Sequence, residues 1–147
     1  MIAFELDPIR NLRRARFAGC VDDQELLAEY RRLVRDPSYD ATADELLDLR
    51  RVERFEVSAD GLRRLSDLHS MVDRRGSRPR FAIVADAPLT YGMWRMYELL
   101  RGDGAAEEIR VFRDHGAAED WLRTGRTCAP AGSPLPQRGL AAAGRAR

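Results

Sequence analysis

A chain of 147 residues is about one domain long and can bury a real core. Its apolar share of 44% is ordinary for a globular protein, and no apolar run is long enough to span a bilayer. Net charge is only +1, but all 24 acids lie at or before Asp120, so residues 1–125 hold 21 arginines against 24 acids, a net −3. A mildly acidic body gives no electrostatic footprint for nucleic acid.

Every basic residue is arginine, which excludes a lysine nucleophile, a Schiff base and a P-loop lysine. Cys20 and Cys128 form no motif. MIAFELDPIR lacks the basic start and long apolar core of a signal peptide, so a cytoplasmic location is expected.

Ile2, Phe4 and Leu6 alternate as in a strand that stops near Asp7-Pro8. Leu12 to Ala18 reads as its hairpin partner, broken by Gly19. Asp22 and Glu25 form a capping-box-like start for a helix. Leu26, Leu27, Tyr30, Leu33 and Val34 supply its buried face, and Asp36-Pro37 ends it. Leu46, Leu47 and Leu49 do not simply alternate, as expected of a central strand buried on both faces. A short charged connection follows.

Ser58 is placed to cap a second helix with Leu62, Leu65, Leu68 or His69, and Val72 inside. Phe81–Ala85 is another continuous apolar strand. Pro88 opens a third helix whose inner face is expected at Met93, Met96, Tyr97 and Leu100, leaving Tyr91 and Trp94 to point elsewhere. Ile109, Val111 and Phe112 make a last strand, and a short helix carries Ala118, Trp121 and Leu122. From Thr124 on, Gly, Pro, Ala and Arg dominate, so the domain is expected over 1–125 and a disordered tail over 126–147. The order predicts an α/β fold: a mixed, mostly parallel sheet of about five strands, an N-terminal hairpin and about four helices.

Three strings then carry a resemblance: LLDLRRVERFEVSADGLRRLSDL, AIVADAPLTYGMWRMYELL and VFRDHGAAEDWL. With the element order, they make the chain resemble small bacterial proteins of the STAS/SEC14-type, SpoIIAA-like fold. The resemblance implies a non-catalytic interaction or regulatory module that binds a protein partner. SEC14-type relatives imply, as the alternative, a small apolar-ligand or lipid binder. An uncharacterised enzyme is the minor alternative. In the anti-sigma antagonists of the wider STAS family a serine before a glycine is phosphorylated. The matching string here is Ser58-Ala59-Asp60-Gly61-Leu62, which puts Asp60 at the acceptor place and leaves Ser58 as a displaced one.

Two candidate sites follow. Ser58, Asp60, Gly61 and Leu62 form a partner-binding turn at a helix N-terminus, an end that attracts anions. Tyr91, Trp94, Arg95 and Glu98 form a ligand groove or dimer contact on the third helix. His69 and His115 are the only histidines and lack metal-ligand spacing. Asp44, Asp48 and Asp60 read as ion pairs with nearby arginines. No metal, cofactor or catalytic set is expected, and a homodimer is expected through the hairpin or the third helix.

Overall fold

A computed structural model describes residues 1–127. The 126–147 tail, with Cys128, lies almost wholly outside the described residues. Chain order is β1 (Ile2–Asp7), β2 (Leu12–Asp22), α1 (Asp23–Arg35), β3 (Asp44–Glu56), α2 (Ala59–Ser70), β4 (Arg80–Val84), α3 (Pro88–Arg101), β5 (Glu108–Phe112) and α4 (His115–Thr127). The sheet order is β1-β2-β3-β4-β5, antiparallel between β1 and β2 and parallel thereafter. β3 is therefore the middle strand.

Side-chain alternation splits the core in two. Leu47, Leu49, Ile83 and Phe17 face α1, α2 and α3, where Leu26, Leu62 and Trp94 meet them. Leu46, Ala82 and Val84 face the other way, against Ala118 and Leu122 of α4. The leucine run at 46–49 is thus buried on both sides.

Two strands run further than the sequence suggests. β2 continues through Gly19, which adopts φ +70° beside two register shifts, so the glycine makes a bulge rather than an end. β3 continues through Arg50–Glu56, read above as a connection. Ladder pairing to β2 outweighs the local charge there, because the charged side chains point to solvent.

The inner face of α3 also differs. Trp94 is fully buried with Thr90 and Tyr97, while Met96 and Leu100 are 37% and 45% exposed. Positions 90, 94 and 97 form a helical stripe as good as 93, 96 and 100. The tryptophan has the most apolar surface to remove from water, and it decides between them.

Buried charge joins the strand ends nearest α1 and the α2–β4 loop. Glu45 accepts hydrogen bonds from Tyr30 (2.7 Å) and Arg13 (3.4 Å). Glu107 accepts them from Arg74 Nε (3.2 Å) and Arg101 Nε (2.7 Å). His69 and Tyr97 share a hydrogen bond of 2.6 Å between these pairs. Burial, aided by the guanidiniums of Arg74, Arg101 and Arg13, lowers the His69 pKa to about 3. Burial likewise raises Tyr97 and, with the Glu45 carboxylate, Tyr30.

Two stability measurements test this network. Glu45→Gln leaves Arg13 buried without its counter-charge and lowers unfolding free energy by about 3 kcal/mol in urea titrations. A loss under about 1 kcal/mol would show that water already compensates Arg13. His69 stays neutral when folded but protonates when unfolded below about pH 6.5. Its contribution is full above that pH and is lost as pH falls toward about 3. His69→Phe should flatten that part of the stability curve, and an unchanged slope would assign it to other groups.

Candidate interaction site

The turn before α2 folds as a cap. Ser58 Oγ accepts the Gly61 N–H at 3.0 Å, and the Ser58 carbonyl accepts the Leu62 N–H at 3.1 Å. Ser58 in turn donates twice to Asp23: its N–H to Oδ1 at 2.7 Å and its hydroxyl to Oδ2 at 2.5 Å. Asp23 is the first residue of α1, whose own cap is Asp22, accepting the Glu25 N–H at 2.8 Å. One carboxylate thus serves the positive ends of two helices. The anion that such an end attracts is already present, built into the chain.

Gly61 completes the arrangement by its size. A Cβ there would overlap the Asp23 carboxylate. Leu62 is fully buried in the core. Of the four residues expected at this site, Ser58 and Asp60 alone reach solvent. Asp60 pairs with Arg64 one turn on, at 2.9 Å. A phosphoryl group on Ser58 Oγ would have to displace Asp23, since two anions cannot share the cap.

The α3 candidates separate. Trp94 lies in the core, with its Nε1 buried and lacking a hydrogen-bond partner. Arg95 and Glu98 pair with each other at 2.5 Å on the surface. Tyr91 lies under Arg113, whose guanidinium carbon is 4.2 Å from the ring centroid. These four residues do not form one groove. A different face of the same helix is conspicuous: Leu89 is 69% exposed and Leu99 73%, with Met96 and Leu100 beside them. Leu89, Met96 and Leu99 follow one another at spacings of seven and three, one side of a helix.

The acids of the central unit are individually occupied. Asp48 holds Arg50 through both oxygens, at 2.9 and 2.7 Å, and these hydrogen bonds keep its carboxyl below the usual range. Asp44 accepts the Arg80 backbone N–H at 2.8 Å. His115, the first residue of α4, lies 3.9 Å from Glu119, which Arg14 holds at 2.7 Å. Among the described residues no group of three or more His, Cys, Asp or Glu is placed to hold a metal ion.

Sequence reading missed Asp23 and the outer face of α3. The Asp22-Asp23 doublet was a usable signal, because only one aspartate can cap α1 and the other needs a role.

No family model matches the chain, and no curated protein matches it in sequence. The chain is similar to a crystal structure of an uncharacterized DUF3478-family protein from Shewanella loihica PV-4, described as having a SpoIIAA-like fold. The TM-score is 0.54 at 17% identity, covering 83% of this chain and 92% of that one. The fold is therefore SpoIIAA-like. Among the described residues no helix is long and apolar enough to cross a membrane.

Gly61→Ala should destabilise the protein by about 1–3 kcal/mol, the usual cost of overpacking. Asp23→Ala in the same chain should recover part of that loss by removing the overlapped carboxylate. Additive losses in the double variant would show that the two residues do not meet.

Proposed function

We propose that this protein is a non-catalytic interaction module, acting in the cytoplasm, that binds a protein partner through the outer face of α3. The observation that carries the reading is the cluster of Leu89, Met96, Leu99 and Leu100, half of the eight large apolar residues exposed among those described. Scattered exposed leucines are ordinary, but a contiguous apolar patch marks an interaction surface. Ten residues of helix make a stripe roughly 15 Å long. A stripe of that shape suits leucine-sized anchors on an amphipathic helix of the partner. Ser58 and Asp60 supply a second, polar contact at the α2 cap, and Arg95 and Glu98 lie on the same helix as the stripe.

The other reading, a small apolar-ligand binder, is favoured by one observation: an open cleft of about 730 Å³ between the C-terminal ends of α1 and α2. That volume falls in the range of small-molecule sites.

The partner reading is tested by placing a photo-crosslinker at position 99 in the native host and identifying what it captures. Purified partner should bind the wild type, and Met96→Glu with Leu99→Glu should weaken binding by about a hundredfold while leaving the fold intact. Asp60→Arg should weaken it less. Binding indifferent to the α3 changes would dismiss this face. Capture of a second copy of the chain, with a dimer's mass in light scattering, would make the partner the protein itself.

A further inference from the structure

The outer face of α3 holds a residue that the folding of one chain does not explain. Gly92 lies inside the helix and is exposed to solvent. Its backbone is not left-handed, a conformation kept here for Gly19, Gly76 and Gly102. A Cβ built on Gly92 would meet nothing within 4 Å outside its own stretch of helix, whereas one on Gly61 would overlap Asp23. Nothing within the chain therefore requires glycine at 92, although only proline is a poorer helix former.

Gly92 belongs to the apolar stripe. Leu89, Gly92, Met96 and Leu99 follow at spacings of three, four and three, the rhythm of paired helices. The stripe thus has a leucine at each end, with a hollow at Gly92 and a projecting methionine at Met96 between them. It lies opposite the buried positions Thr90, Trp94 and Tyr97. On one flank Arg95 and Glu98 neutralise each other. Met93 and Leu100 make the other flank apolar.

Such a stripe matches itself. Leu89 and Leu99 are centred on Trp94, and so are Gly92 and Met96. A single two-fold axis at that level sets Leu89 against the partner's Leu99 on a helix running the opposite way. The same axis sets Met96 of each chain over Gly92 of the other. This is the isologous pattern, in which residue i meets j and j meets i. Methionine is a flexible knob. The missing Cβ lets the helices approach toward the near end of the usual spacing of roughly 8–10 Å. A hollow and a knob placed symmetrically about one point are what a second copy needs, and a protein of another sequence has no use for that symmetry.

We propose that α3 pairs antiparallel with α3 of a second copy of this chain, Met96 of each seated over Gly92 of the other. The inference rests on the reading of α3 as the interaction face and adds to it the identity of the partner and the register.

Sedimentation equilibrium of the full chain over a range of concentrations tests it. A contact made by one 14-residue helix per chain is small for an interface, so the dimer should dissociate on dilution. Gly92→Met should overfill the hollow and weaken the dimer at least about tenfold. Leu99→Glu should weaken it about a hundredfold, because the change falls twice in a symmetric contact. Both positions are exposed, so both variants should keep the wild-type circular dichroism. Gly92→Met combined with Met96→Gly exchanges knob and hollow, and should recover the affinity that Gly92→Met loses. Undiminished dimerisation of Gly92→Met, or a double variant no tighter than the single one, would overturn the register. A dimer indifferent to Leu99→Glu would place the pairing on another surface, such as the β1 edge, and overturn it too. A chain that stays monomeric would overturn self-pairing, and the crosslinker at position 99 then separates the two readings. Capture there of a different protein, whose binding needs Met96 and Leu99, leaves the partner reading standing, and no capture sinks both.

Discussion

Two carboxylates that cannot reach water set the terms for this fold. Glu45 draws a strand neighbour, Arg13, and a helix residue, Tyr30, onto one point. Glu107 draws Arg74 from the α2–β4 loop and Arg101 from the last turn of α3. Arg101 continues into α2, donating to the Ser66 carbonyl at 2.8 Å and to Ser70 at 2.6 Å. Each carboxylate is tolerable only with its arginines in place, because removing one partner leaves a naked charge in a medium that solvates it badly. Such pairs add little net stability over well-packed apolar residues. What they do here is join elements far apart in sequence at one end of the sheet, where a misplaced helix would strand a charge.

That joining explains which parts of the fold could be read from residues alone. The inner faces of α1 and α2 were legible because burial repeats with the period of the element: Leu26, Leu27 and Tyr30 on α1, Leu62, Leu65 and His69 on α2. Caps were legible because Ser58 and Asp22 act within a turn of themselves. Contacts made across the fold were not. Glu45 looks like any acid in the charged stretch from Asp44, and only the register of β3 against β2 shows that it faces Arg13. Arg101 disguises the inner stripe of α3 for the same reason. A charged residue at an inward position reads as a surface one until its buried partner is known.

The α2 cap carries its own anion. A serine hydroxyl, a glycine and a leucine open the helix, and the anion comes from α1. Asp23 makes the junction of the two helices part of the folded state. Its two hydrogen bonds to Ser58 are charge-assisted, and the helix end favours the ionised carboxylate. Modifying the Ser58 hydroxyl must first break its hydrogen bond to Asp23 at the junction of α1 and α2, helices that also pack through Leu26, Leu62 and Leu65.

The outer face of α3 is harder to explain by folding alone. Its inner stripe is complete without it: Thr90, Trp94 and Tyr97 are buried, and Arg101 ends in Glu107. Leucine and methionine are good helix formers, but so are glutamate, glutamine, lysine and arginine, which cost nothing in water. Propensity therefore does not select four apolar residues on one side. The rest of the exposed helical surface follows the other choice, with Arg31, Arg32, Arg63 and Arg64 outward on α1 and α2. An apolar stripe beside such arginine-rich surfaces is a local departure from how this chain treats water, and the departure is accounted for once another surface covers it.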